Sequence, residues 1–309
     1  MSSLTITVLI PTFKRVTDLT RCLEAIKRQE RLPEKVAVTV RDIDTETINF
    51  LAQYDSAPLT IVSVLVEEPG VVAAMNAGLM VIESDITVLT DDDTAAYPDW
   101  LLRIEKHFAI DPKVGGVGGR DHQAIHPGAQ PVVGIVQYTG RIVGNHHLGV
   151  GPSRRVDVLK GANCAYRTVP LKQIGFDRRL MGSGAQVNWE LGIGLTLQRA
   201  GWVLIYDPEI QVDHFMAVRY TEDQYHRGGA FNPNTHTHAV HNETIFLWEH
   251  FSLLRKVVFV SWFLLLGTRT QPGIVQLIRI MLTRQFWFLS HFRPTLKGRW
   301  QGIRHAYKG

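Results

Sequence analysis

Short apolar runs alternate with helix-like stretches through the first hundred residues, and this alternation restricts the fold more than any other feature. TITVLIP (5–11), KVAVTVRD (35–42), LTIVSVLV (59–66) and DITVLT (85–90) read as strands. TDLTRCLEAIKRQ, ETINFLAQY and VVAAMNAGLMVI read as helices; in the first, Leu19, Cys22, Leu23 and Ile26 share one face, with Thr17 or Asp18 expected as N-cap. Strands alternating with helices pair in parallel through right-handed crossovers, which predicts a doubly wound α/β sheet. Ligands of such sheets collect at the carboxyl ends of the strands. All four strands end there in polar residues: Thr12 with Lys14 and Arg15, Asp42 with Asp44, Glu67 with Glu68, and Asp91 to Asp93.

The last of these groups is the most demanding. Three adjacent carboxylates repel one another in any compact setting. A divalent hard cation held by oxygen ligands would relieve that repulsion and attract a phosphate-bearing ligand. If the strand continues through the triplet, Asp91 and Asp93 face one way and Asp92 the other. The plainer alternative is an exposed turn leading into the helix expected after YPDWL. Hydrophobic residues make up 45% of the 309-residue chain, enough for a sizeable core. Two cysteines, Cys22 and Cys164, argue against a disulfide framework, and Cys164 reads as core. The opening MSSLTITVLIPTF lacks the pattern of a signal peptide, so none is expected.

Further along, VGGVGGRDHQAIHPGAQP reads as turns and loops, DVLKGANCAYR as a strand, and ELGIGLTLQRAG as a helix beginning near Glu190. WVLIYDP and EIQVDHF read as a strand pair or as one bent strand, and 220–243 as a polar, His-rich segment. The GGVGG cluster is too short a signal for a phosphate loop. GNHHLG and HTHAVH lack cysteine partners, so zinc is not expected there.

In order and spacing, PTFKR after the first strand, VRD closing the second, NAGL, and an apolar strand into DDD resemble the family 2 glycosyltransferases of GT-A fold. LKGANCAYR, then NWELGIGLTLQRAGWVLIYDPEIQVDHF, continue the resemblance, which covers about residues 5–215. It implies a GT-A (Rossmann-like), mixed and mainly parallel sheet flanked by helices. Residues 1–100 would form a nucleotide-sugar half and 101–215 an acceptor half. Pro11, Thr12 and Arg15 would contact the nucleotide, with Asp42 on the base or ribose, Asp44 as the less favoured choice, and Asn76 nearby. Met75 stands where the family often has an arginine, and Arg15 or Arg41 are candidates to replace it. Asp91 and Asp93 match the D-x-D motif; Asp93 is the favoured ligand of Mn2+ or Mg2+, Asp91 serves metal or nucleotide, and Asp92 contacts ribose or sugar. His214 matches a distal position that is either a further metal ligand or a satisfied strand-end histidine. Counting back from Arg199-Ala200-Gly201-Trp202 puts the catalytic base of an inverting displacement at Glu190. Gly161, Asn163 and Trp189 fall on the acceptor side, with His146 and His147 as further candidates.

Charge is split along the chain. Glu249 is the last acidic residue; ten of the 33 Lys and Arg follow it, leaving 23 against all 29 acids in the body. The apolar run Val257–Leu266 is too short for a membrane span of ~20 residues. Ile274, Leu277, Ile278, Met281, Leu282, Leu289 and Phe292 space as an amphipathic helix. With Trp287 and Trp300, these features predict that residues 216–309 form a helical, basic segment lying on a membrane surface. The competing expectation is a bundle packed on the main domain. Long aliphatic runs between the basic residues suit lipid and not nucleic acid. The expected activity is therefore a hexosyltransferase moving sugar from a nucleotide diphosphate donor to a lipid-linked or polysaccharide-type acceptor, at the inner face of the cytoplasmic membrane. A non-catalytic nucleotide-sugar sensor on the same fold is the alternative.

Overall fold

The structure, a computed structural model, describes residues 4–123, 128–218 and 230–307, apart from the side chains of residues 287 and 288. The first half alternates as expected: β1 (Ile6–Thr12), α1 (Val16–Lys27), β2 (Lys35–Arg41), α2 (Thr45–Gln53), β3 (Ile61–Val66), α3 (Val71–Met80) and β4 (Ile86–Leu89). Next come β5 (Thr94–Ala96), α4 (Trp100–Ile110), β6 (Val114–His122), the hairpin β7 (Ile135–Val136) and β8 (Ile142–Val143), β9 (Arg154–Arg155), β10 (Cys164–Arg167) and α5 (Thr168–Ile174). Then follow α6 (Trp189–Arg199), β11 (Val203–His214), α7 (Pro233–His250), α8 (Leu253–Leu265), α9 (Ile274–Leu282) and α10 (Phe292–Ala306).

The main sheet runs β3-β2-β1-β4-β10-β6-β11-β5, with β9 on β11. β1 pairs in parallel with both β2 and β4, while β10 is antiparallel to β4 and β6. Two apolar clusters cover its faces, and strand alternation sorts the side chains between them. Ile6, Val8 and Ile10 of β1 join Val36, Val38 and Val40 of β2 under α1 and α4. Leu9 and Ala37 face the other way, into the cluster of α3, α6, α7 and α8. The chain steps outward from β1 to β2 and β3 and then crosses back to β4 on the other side of β1, so the carboxyl ends of β1 and β4 open a crevice at the topological switch point.

Several elements depart from the sequence reading. β4 stops at Leu89, so the aspartate triplet lies in a tight turn into β5 and is no extension of the strand. VGGVGGRDH is not a loop but the nine-residue strand β6 inside the sheet. Glycine normally weakens a strand, yet here its missing side chain admits close neighbours. A Cβ at Gly119 would lie 1.8 Å from Ile210 O, and one at Gly115 2.6 Å from Trp202 Cβ. Of the two readings of WVLIYDP and EIQVDHF, the single bent strand holds: both fall in β11, with a register shift between Asp207 and Gln211. α1 begins at Val16, ahead of the expected caps, with no side chain capping it.

The C-terminal segment has two kinds of helix. α7 was hidden in sequence because its buried face mixes His236, Thr237, His241, Asn242 and Thr244 with Val240, Ile245 and Leu247. Part of the His-rich 220–243 reading, residues 220–229, lies outside the described residues. Asn242 accepts from Met181 N–H (2.8 Å) and donates to the carbonyls of Met181 and Val187 (3.0 and 3.1 Å). That clasp holds the loop entering α6. α10 lies on α7 through Gly298 and Gly302, where a Cβ would meet Thr237 O and Thr244 Cβ at 2.6 Å each. Between them, buried Arg299 pairs with Glu243 at 2.7 Å. Residues on both sides of position 215 thus share one apolar cluster. The single amphipathic helix expected over 274–292 is divided: α9 ends at Leu282, Leu289 sits in a 3-10 turn, and Phe292 opens α10.

Candidate active site and metal centre

One cavity lies along the carboxyl ends of the strands. Pro11, Thr12, Phe13, Arg15, Thr39 and Arg41 line one end, Asp91 and His214 its middle, and Ile142, His146, Lys160, Gly161, Trp189 and Glu190 the other.

The middle is built by two distant segments. β11 pairs antiparallel with β5, bringing His214 opposite Thr94 and hence beside the triplet turn. Asp91, Asp93 and His214 each offer a ligand atom, and these atoms lie within 4.8 Å of one another. His214 Nε2 is 3.3 Å from Asp93 Oδ1 without hydrogen-bond geometry, and its Nδ1 is 3.3 Å from Asp121 Oδ2. Burial alone would lower the imidazole; the flanking Asp121 and Asp93 outweigh it and hold it at about 9. Asp121 is buried too, which raises a carboxyl, yet His214 and Lys160 bring it down to about 2. Two carboxylates, with an imidazole that joins them by giving up its proton, form a donor set that fits a divalent cation. The carboxylate behind the imidazole is the usual orienting partner of a metal-bound histidine.

Asp92 takes no part in this. Expected on ribose or sugar, it is fully buried instead, accepting from Thr12 Oγ1 at 2.7 Å and pairing with Arg15 at 2.9 Å. Burial pushes its carboxyl upward, opposed by Arg15. The turn therefore separates the three aspartates by function, two toward the cluster and one back into the protein as a brace for β1.

Asn76, Asn163, Asp42 and Asp44 also lie off the cavity wall, as does the fully buried Asp93. Asn76 donates to Phe176 O (2.8 Å) and accepts from Phe176 N–H (2.9 Å), clasping α3 to the chain after α5. Asn163 is fully buried, accepting from Trp100 Nε1 and donating to Arg120 O and Ile210 O. Asp42, in the turn just after β2, accepts from Ile43 N–H at 3.0 Å and lies 3.7 Å from Arg41 Nε. Asp44 caps α2 through Thr47 and holds Lys14 N–H. Strand alternation gives the physical reason: Thr39 and Arg41 share the cavity face, which Val40 and Asp42 cannot.

At the far end, Glu190 stands in the first turn of α6, and its Oε1 accepts from Gly161 N–H at 3.0 Å. Burial pushes its carboxyl above the ordinary value, against the pull of Lys160 and of backbone N–H groups. Gly161 has no room for a side chain, since a Cβ would be 2.5 Å from Trp189 and 2.9 Å from Glu190 Oε1. Asn188 precedes the helix at φ 75°, a left-handed position that asparagine tolerates, and is tethered to Ala239 O. The helix start, and with it Glu190, is thus pinned by α7.

Asp121, Lys160 and Thr39 were not assigned to the site from sequence, whereas Arg41 was named as a candidate for the arginine missing at Met75. Reading GGVGGRDH as a strand would have exposed Asp121 as a carboxylate at a strand end. Lys160 stood beside Gly161 in a motif already singled out.

The family model described as glycosyltransferase like family 2 matches residues 4–227. An uncharacterized glycosyltransferase, YwdF of Bacillus subtilis (strain 168), is 30% identical over 103 residues, which is 33% of this chain and only 38% of that protein. Among solved structures, the mannosyltransferase PcManGT from Pyrobaculum calidifontis, in complex with GDP-Man and Mn2+, aligns at TM-score 0.58 and 16% identity, over 99% of this chain and 85% of its own. GalNAc-T7 with UDP, GalNAc and Mn2+ aligns at 0.56 and 11%, over 92% of this chain and 58% of its own. At these identities the likeness is one of fold. The mixed sheet is that of the GT-A enzymes, and the chain is a glycosyltransferase belonging to family 2.

Proposed function

We propose that the protein is an inverting, metal-dependent glycosyltransferase that moves a sugar from a nucleoside diphosphate to a hydroxyl of a lipid-linked or glycan acceptor. The observation that carries this reading is a single cavity lined by Asp91, His214 and Glu190, with Asp93 buried beside the first two so that one cation could take all three. Glu190 takes the proton of the acceptor hydroxyl. The acceptor oxygen then bonds to the anomeric carbon as the bond to the phosphate oxygen breaks, and the diphosphate leaves with that electron pair. Attack opposite the leaving group inverts the anomeric centre. Gly161 N–H keeps Glu190 aimed, and Trp189 stands where a sugar ring stacks. Asp91, Asp93 and His214 would hold Mn2+ or Mg2+, with imidazole favouring Mn2+. The cation's contribution is Lewis-acid neutralisation of the departing diphosphate. One structural relative binds GDP-Man and the other UDP, so the fold does not choose the nucleotide.

Asp121 would orient His214 by holding Nδ1. Asp121→Asn is therefore expected to weaken Mn2+ binding about 10–100-fold, measured by Mn2+ titration of the purified chain. Wild-type affinity would show that His214 needs no such partner.

The acceptor reading is supported by the C-terminal helices. The outward face of α8 presents Leu253, Leu254, Val257, Leu264 and Leu265, and α9 exposes Ile274, Val275, Ile278, Met281 and Leu282. No described helix is long and apolar enough to cross a membrane. Apolar exposure of this extent, in a stretch without one acidic residue, suits the surface of an anionic bilayer such as the inner face of the cytoplasmic membrane. The wild type is expected to float with anionic vesicles, less at high salt, and a Leu254→Glu, Val257→Glu, Ile278→Glu variant to stay in the dense fraction. Equal flotation of the two would remove these helices as the membrane contact.

A further inference from the structure

One cation on the cavity wall has no task in the mechanism above. Lys160 lines the acceptor end together with Gly161, Trp189 and Glu190. The other two Lys or Arg side chains of the wall are committed, Arg15 to Asp92 at 2.9 Å and Asp93 at 3.4 Å, and Arg41 to Asp42 at 3.7 Å. Among the described residues, the Lys160 ammonium has neither an ion pair nor a hydrogen bond. Its backbone is fixed: Lys160 O accepts from Asn163 N–H at 2.9 Å, and the Asn163 side chain is held by Trp100, Arg120 and Ile210. The ammonium charge favours the ionised forms of two carboxylates. One is Asp121, which stands behind His214; the other is Glu190, whose Oε1 is bonded to the next residue, Gly161. Lys160 is therefore near both the cation cluster and the base, in the interval that the reacting sugar must span.

Negative charge grows in that interval. As the bond from the anomeric carbon to the phosphate oxygen breaks, the diphosphate gains one unit of negative charge. Asp91 and Asp93 between them balance a divalent cation, and Arg15 is balanced by Asp92, so neither adds net positive charge there. An uncommitted ammonium does, and its charge-assisted hydrogen bond to phosphate is about twice as strong as a neutral one. Lysine is a compact charge on a flexible stem with three donors, so it can follow a phosphate oxygen as it departs. A carboxylate on the acceptor would instead be drawn against the ionised Glu190, which disfavours that occupant. Resting on the donor reading above, we infer that Lys160 is a catalytic residue whose ammonium binds the β-phosphate of the departing nucleoside diphosphate.

The test is a calorimetric titration of the full chain, in Mn2+, with UDP, GDP, ADP and CDP, and then with the monophosphate of whichever base binds best. Lys160→Met is expected to weaken the diphosphate about 10–100-fold, the scale of one hydrogen bond between charged groups. The monophosphate, which has no β-phosphate, should bind as it does to the wild type, and the ligand-free Tm should not move. Lys160→Arg, which keeps the charge, should recover most of the loss. Unchanged diphosphate affinity in Lys160→Met overturns the inference and assigns the ammonium to a carboxylate of the sugar or the acceptor. A loss shared equally by the monophosphate, or a lowered Tm with no recovery in Lys160→Arg, overturns it too and makes Lys160 structural. All these results leave the donor reading standing, whereas failure of every nucleoside diphosphate to bind the wild type would overturn both.

Discussion

Replacing Glu190 by glutamine is expected to slow sugar transfer by about 10^2–10^4-fold and to leave nucleotide binding unchanged. Glutamine keeps the shape and the Oε1 that accepts from Gly161 N–H, so the local structure should survive. What it cannot do is take the acceptor proton. The pH profile is a second signature. Burial raises the Glu190 carboxyl above its ordinary 4.5. A base works only when ionised, so the wild-type rate should fall as pH drops through that raised value, which puts the acid limb above the range of an exposed carboxylate. The glutamine variant should lose this limb along with its rate. An unchanged rate in initial-velocity assays would remove Glu190 as the base, and an acid limb surviving in the variant would assign it to another group.

Removing the Asp93 carboxylate should act on binding. With nucleoside diphosphate and Mn2+ at about 100 times Kd, the wild type gains about 2.7 kcal/mol of stability, seen as a raised Tm. Asp93→Asn is expected to gain almost none, and chelation of the metal should reduce the wild type to the same level. The physical reason is that Asp93 stands between His214 Nε2, at 3.3 Å, and Arg15, at 3.4 Å, so one carboxylate serves both cluster and brace. Asp92→Asn is the control. It should lower basal stability, because Arg15 loses its 2.9 Å partner, but keep the response to metal. Equal metal-dependent shifts in Asp93→Asn and wild type would exclude Asp93 as a ligand.

Much of this was legible before any coordinates. The register counted from Arg199-Ala200-Gly201-Trp202 pointed to Glu190, which the structure places on the cavity wall. The D-x-D pair and His214 were named from motifs 121 residues apart, and the sheet brings them within reach of one cation. Asp42, Asn76, Asp92 and Asn163 were taken from positions that the family resemblance implies, and in the structure each side chain bonds within the protein. Proximity along the chain does not say which way a side chain points.

Helix α7 escaped for another reason: a seam of His, Asn and Thr carries no apolar period, although it holds the loop that positions α6. The glycine-rich β6 escaped because intrinsic strand preference is weak beside tertiary packing, and its Gly115 and Gly119 exist to let Trp202 and Ile210 approach. By itself the sequence determined the alternation of elements, the parallel half of the sheet, and which chemical groups would gather at its carboxyl edge, since these follow from periodicity and crossover handedness. Only the tertiary structure decided that Asp121 stands behind His214, that Thr39 and Arg41 line the cavity while Asp42 does not, and that Asp92 braces β1. Those choices depend on turn geometry, strand pairing and burial, which join residues far apart in the chain and leave no local signal.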